Sequence, residues 1–344
     1  MSNSWIKLTK WEFWPFWLFY TPIYFYWIWL SIRARSFVFF SAANPRMELG
    51  GFGGYSKYNV IKQFSSELIP KTVLINSAVS DPEELLKQIK SQGLSFPLII
   101  KPDVGERGWK VEKINHSQAF MEYLSQNRQK LLIQEYIDYP LEFGIMYHRM
   151  PGQARGYITS IVQKEFLSVT GDGKSTLQEL FNRFTRTKYH LPMLLKLYKG
   201  ELTKVLKPGE VLELVSIGNH ARGTTFLNAN HLITPGLVQV FDNISRTIDG
   251  FYFGRYDIRV PGLEDLYAGR NIKILELNGA NSEPAHIYDP QMRISHAYKH
   301  LFRHWHILFN ISMQNHKKGH SFTPLLKAMT ILRNRKSVHY LASS

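Results

Sequence analysis

The sequence predicts an α/β or α+β chain with antiparallel sheet in its second half. Two observations carry this. Beyond residue 56, strand-like and helix-like runs alternate without settling into a uniform βαβ series, and the last two strand-like runs are separated only by a polar turn. At 344 residues, 44% hydrophobic and 20% charged, the chain has the composition of a folded protein with room for one or two domains. It contains no cysteine, which excludes disulfides, a thiolate nucleophile and cysteine-ligated zinc.

The elements follow in chain order. From Phe13 to Ile32 no residue is charged, and about 20 apolar residues are enough to cross a bilayer core. Six of the eight tryptophans lie in the first thirty residues, and indoles favour headgroup depth. Pro15, Pro22 and the aromatic density equally allow a helix lying in the interface. A core helix is disfavoured because the run is apolar all round. A cleaved leader is disfavoured by Arg33 and Arg35. Residues 1–43 are therefore read as an aromatic membrane anchor of undecided depth. Basic residues outweigh on its far side and favour a cytoplasmic body, so the protein is expected on the cytoplasmic side of the cell membrane.

Residues 44–56 read as a glycine-rich linker. Asp81, Pro82 and Gly93 punctuate a helix, and Asn115 with Gln118 resembles a capping box for the next. Residues 97–101, 131–137, 143–150 and 155–166 read as strands. After the turn at 171–175 comes a helix, then another from Pro235 to Thr247 capped by Thr234. Strands at 251–260 and 271–278 complete the body, residues 57–312. Residues 313–344 form a basic tail. After Asp289 there is no acidic residue but nine lysines and arginines, a distribution that seeks a polyanion. The aromatic anchor points to anionic lipid, and no nucleic-acid motif is present, so no nucleic-acid partner is expected.

Three constellations could carry chemistry. In RYD (255–257) and LELN (275–278), Glu276 and Asn278 share a strand face, and pairing with the preceding strand would bring Asp257 to them. Such oxygen donors suit magnesium, with a salt-bridged strand edge as the structural alternative. In residues 96–108 a strand delivers Lys101 into a loop with Gly105, Arg107 and Gly108. Glycines there let backbone amides close on phosphate. In residues 134–145, Glu135 ends one strand and Glu142 opens the next, a connection that can form an adenine cleft with Tyr136 and Ile137. GDGKST (171–176) is a decoy: Ser168 stands where a P-loop needs glycine. The histidines His286, His296, His300, His304, His306, His316 and His320 are expected to face solvent or an interface, since no single face gathers a clean ligand set.

The order of these motifs over residues 55–290 resembles the ATP-grasp superfamily. Within it, the likeness is to D-alanine:D-alanine ligases and the ATP-grasp part of cyanophycin synthetases, the latter through GDGKSTLQEL and KPGEVLELVSIGNHARGT. The resemblance implies two α+β subdomains clasping ATP, with Mg2+ (or Mn2+) at Asp257, Glu276 and Asn278. It implies phosphate contacts from Lys62 (with Lys57 as a rival), Lys101 and Lys164, adenine near Glu135 and ribose on Glu142. It further implies Arg255 at the reacting oxyanion, and Asn219 and Arg222 in the segment that closes near the phosphates. The expected activity is formation of a carbon–nitrogen bond from a small carboxylate and an amine through an acyl phosphate. A non-catalytic membrane-bound ATP sensor or scaffold is the alternative, and an oligomer is compatible with either. The insert at 261–270 and the absence of the Ser-Pro-Gly run after Asn278 depart from D-alanine ligases.

Overall fold

The computed structural model describes residues 10–105, 108–215, 218 and 223–340. Its first long element is α1 (Phe16–Ala34), entered through Pro15 and ended by Arg35 in the left-handed region. After two 3-10 turns comes the short α2 (Lys57–Ile61). A four-stranded antiparallel sheet follows, built from β1 (Thr72–Asn76), β2 (Leu98–Pro102), β3 (Glu112–Ile114) and β4 (Lys130–Glu135) in the order β1-β4-β2-β3. Helices α3 (Pro82–Ser91) and α4 (Ser117–Gln126) bury Leu85, Ile89, Phe120 and Leu124 against it. The expected Asp81 cap is present, its carboxylate accepting from Glu83 and Glu84 N–H. The next helix differs by one residue from expectation: extended His116, not Asn115, caps it through Nδ1, while Gln118 bonds Glu122 one turn on.

The larger sheet has five antiparallel strands in the order β11-β10-β5-β6-β9. They are β5 (Leu141–His148), β6 (Tyr157–Glu165), β9 (Thr225–Asn228), β10 (Phe253–Val260) and β11 (Lys273–Asn278). Between β6 and β9 lies a small unit: the hairpin β7 (Ser168–Thr170) and β8 (Val211–Glu213), with α5 (Leu177–Arg183), α6 (Thr185–Tyr189) and α7 (Leu191–Leu197). The GDGKST turn belongs here, where Asp172 accepts from Lys174 and Ser175 N–H and Thr176 with Glu179 forms a capping box. α8 (Pro235–Arg246) and α9 (Leu263–Ala268) cover one face of the larger sheet, burying Phe241, Tyr256 and Leu266. α10 (Ile294–Lys317) and α11 (Leu325–Tyr340) complete the helices among the described residues.

The N-terminal segment differs from a free anchor. No helix among the described residues is long and apolar enough to cross a membrane. One side of α1 packs instead on the body, burying Phe19, Tyr20, Ile23, Leu30 and Ala34, chiefly against α10. An apolar run records a need for burial but not what supplies it, and here α10 covers one side of the helix. The other side keeps Trp17, Phe25, Ile28, Trp29 and Ile32 exposed, Trp17 at 66% and Phe25 at 70%.

Residues 44–56 are likewise packed rather than a tether. Asn44 is fully buried, accepting from Tyr252 and Phe253 N–H and donating to the Gly50 and Phe253 carbonyls. Gly51 has φ +80°, and a Cβ there would lie 2.7 Å from Gly279 Cα. The glycines serve close approach to the end of β11, where Asn278 sits. α10 runs across the expected start of the basic tail at residue 313, and most of the remainder is α11.

Candidate active site at the meeting of two sheets

The site is assembled where β2 of the smaller sheet meets β10 and β11 of the larger one. Alternation along β10 puts Arg255, Asp257 and Arg259 on one face. Antiparallel pairing sets Asp257 opposite Glu276 and Arg255 opposite Asn278, so the expected hairpin forms and the three oxygen-bearing side chains converge. Asn278 Nδ2 donates to Asp257 Oδ2 at 3.0 Å. Arg255 grips both oxygens of Asp257, at 3.2 and 3.1 Å, and Lys164 lies 3.1 Å from Oδ1. Gly144, opposite Asp257 on β5, leaves room for these groups; a Cβ there would lie 2.7 Å from Val162 Cγ1.

A second row crosses β6, β5 and β10. Lys164 pairs with Glu142, which pairs with Arg259. Both salt bridges measure 2.9 Å. Glu142, expected to accept from ribose, thus has each oxygen occupied by a cation. A carboxylate oxygen retains a further lone pair, so that role requires sharing.

From the smaller sheet, β2 carries Lys101 to the cleft, where its buried Nζ donates to Leu275 O on β11 at 3.0 Å. Lys57 joins it. Asp103 fixes the start of α2 by accepting from Ser56 Oγ and Tyr58 N, each at 2.9 Å. The Lys57 ammonium then reaches Gly105 O and Glu276 Oε1, the latter at 3.3 Å. Lys62 is one turn further, exposed and directed over Tyr58; it does not line the cleft. Lys57, the rival, does line the cleft, because the Asp103 contact fixes which end of α2 faces it.

Burial strongly shapes the charges. Burial pushes the Lys101 ammonium down to about 8, Lys57 adding to the effect and Glu276 opposing it. Burial would raise the Asp257 carboxyl, but Arg255 and Lys164 outweigh it and hold it at about 2. Glu276 is also held low, Lys57 and Lys101 outweighing its burial. The Lys164 ammonium is desolvated, yet Asp257 and Glu142 raise it above its usual range. At neutral pH the site is thus an array of stable carboxylates interleaved with cations.

Glu135, Tyr136, Ile137, Gly105 and Gly108 line the same cleft. Arg259, a residue the sequence reading did not select, donates to Ile137 O at 2.6 Å and ties the inter-sheet connection to β10. Its signal was available: it lies two residues beyond Asp257 on the same strand face. Arg107, Asn219 and Arg222 lie outside the described residues. The histidines divide: His296, His306, His316 and His320 are exposed, but His286 and His304 are buried, correcting the expectation of a solvent-facing or interfacial set. Burial pushes each of those two imidazoles down to about 3.

Among the described residues, no group of three His, Cys, Asp or Glu residues could hold a metal. The set here is two carboxylates and an amide, which fits a hard cation completing its shell with water and phosphate.

The class defined by this arrangement is a two-sheet α+β protein with a cationic, carboxylate-bearing cleft between its sheets. Residues 59–145 match the sequence model of the RimK-like ATP-grasp domain, so that segment is similar to the ATP-grasp superfamily. No curated protein matches it. Among solved structures it is similar to a D-alanine–D-alanine ligase from Bacillus anthracis, at 12% identity and TM-score 0.43, covering 77% of this chain and 68% of that one. It is also similar to VanG D-Ala:D-Ser ligase from Enterococcus faecalis, at 16% identity and TM-score 0.39, covering 74% and 61%. A bifunctional glutathione synthetase from Pasteurella multocida gives 14% identity and TM-score 0.36, covering 72% of this chain but 35% of that protein.

Proposed function

We propose that the protein is an ATP-dependent ligase that activates a carboxylate and joins it to an amine. The observation that carries this reading is the convergence of Lys57, Lys101, Lys164 and Arg255 with Asp257, Glu276 and Asn278 in one cleft. Phosphoryl transfer is mainly a matter of position and charge, and this group supplies both. The carboxylate oxygen attacks the γ-phosphorus, the bridging bond to ADP breaks, and an acyl phosphate results. The amine then attacks the acyl carbon, phosphate departs with the carbon–oxygen electrons, and the amine gives up a proton.

Lys57 and Lys101 hold the phosphates from the side of the smaller sheet. Arg255 and Lys164 balance the charge that develops on the larger one. Asp257, Glu276 and Asn278 would hold Mg2+ (or Mn2+), which supplies neutralisation of phosphate oxygens. The segment Glu135–Ile137 receives adenine. The exposed aromatic face of α1, with the basic C-terminal region, supports attachment at an anionic membrane surface with the helix in the interface.

ADP release is measured with mixtures of carboxylates and amines. Release that requires both substrates is the expected result. ATP binding with no turnover under any mixture would instead establish a sensor or scaffold.

A further inference from the structure

The cleft does not end at the phosphate site. Cleft and continuation together form one cavity of about 1030 Å³, whose lining also takes in Trp14, Phe16, Phe19, Tyr20, Ile23 and Trp27 of the N-terminal segment. That volume stands at the top of the range for small-molecule sites, and its two ends differ in chemistry. One end carries Lys57, Lys101, Lys164 and Arg255; the other is mainly aromatic and aliphatic, its one N-terminal carboxylate, Glu12, being paired with Arg186.

A short chain of contacts joins the ends. Arg255 Nη1 donates to Glu283 O at 3.3 Å, and the Glu283 carboxylate accepts from Tyr288 OH at 2.7 Å. The Tyr288 ring lies 6.0 Å from both Phe19 and Trp11. The aromatic wall is fixed in place: Trp11 donates to Met292 O, and Tyr298 OH donates to Phe19 O. Phe16 and Tyr24 line the cavity and are also exposed, at 39% and 43%, so it reaches the surface beside the outer aromatic face of α1.

A small polar acid has no use for such a wall. We propose that the carboxylate substrate is an amphiphile, with its acid group among the cations and a single apolar tail along α1. This rests on the ligase reading and names its substrate class. Each tail methylene buried in the cavity gains roughly fourfold in affinity, from the transfer energy of a methylene group. The exposed face of α1 places the opening where a lipid surface would deliver such a molecule.

The test uses the full chain and cis-parinaric acid, an 18-carbon polyene acid that brightens in apolar surroundings. Saturable one-to-one binding is expected, with displacement by saturated acids tightening steeply from four carbons to at least twelve. With ATP and Mg2+, hydroxylamine should trap the acyl phosphate as a hydroxamate for the long acids and not for butanoate. Ala285→Trp, which fills the cavity wall, should weaken parinarate at least tenfold while ATP affinity is kept; Ala285→Leu serves if the tryptophan variant does not fold.

Delivery is resolved by presenting the probe as monomer or in phosphatidylcholine vesicles. A transfer rate that rises with vesicle concentration indicates collision with the membrane, and a rate independent of it indicates uptake of free monomer; either supports the tail site. A flat chain-length series, non-saturable binding, or no effect of filling the wall overturns the proposal. If ATP itself does not bind, the ligase reading falls; if ATP binds and the series is flat, only the amphiphile is lost.

Discussion

The two ends of the central cavity answer to different physics. The polar end is built from strands, where a side-chain period of two and a fixed register bring Asp257, Glu276, Asn278 and Arg255 together. The apolar end is built from one face of α1 against α10, where area and shape count and no single residue decides. A polar site should therefore break sharply on one substitution, whereas the apolar wall should yield by degrees.

The largest expected effect is at the polar end. Glu276→Gln keeps size but removes a charge facing Lys57 and Lys101, and ATP consumption should fall ~100-fold or more. Thermal unfolding close to that of the parent would show that the loss is chemical; undiminished turnover would refute the site.

Next is the outer face of α1. Replacing Trp17, Phe25 and Trp29 together with serine should weaken sedimentation with anionic vesicles tenfold or more, while the ATP dissociation constant stays unchanged. Each aromatic is worth about 1.5–3 kcal/mol when fully buried and a fraction of that at an interface. Vesicle binding equal to the parent's would assign that face to another partner.

A smaller contrast separates two neighbouring lysines. Lys57→Ala should weaken ATP binding by about tenfold, the usual scale for one charge-assisted contact, and Lys62→Ala should not. Fluorescence titration of an ATP analogue distinguishes them; the reverse order would mean that α2 presents its other end.

The smallest effect is on pH. The Lys101 ammonium is charged below about 8 and neutral above it, so ATP affinity should fall several-fold between pH 7 and 9. Asp257 is ionised far below this window and His304 is neutral throughout it, so neither contributes. Lys101→Arg should flatten the profile; a slope retained in that variant would place the titration elsewhere.

Legibility in the sequence follows the same division. The strands and the carboxylate pair could be read because alternation is a local property, and so could Lys101 at the end of β2. The choice of Lys57 over Lys62 could not, because it depends on Asp103, 46 positions further along, binding the start of α2. Arg259 was readable from its strand face but was overlooked beside the stronger carboxylate signal. The 13–32 run revealed that α1 must hide from water, but the helix that covers one side of it lies nearly 300 residues later. The glycines of 44–56 looked like freedom and serve close packing against Gly279.

Calorimetric titration of ATP into the parent protein and into Asp257→Asn, each with and without Mg2+, bears most directly on whether the cleft grips a triphosphate through a metal. One site that needs Mg2+ in the parent and is lost in the variant is the predicted result. Binding of equal strength in all four titrations, or none in any, would contradict it.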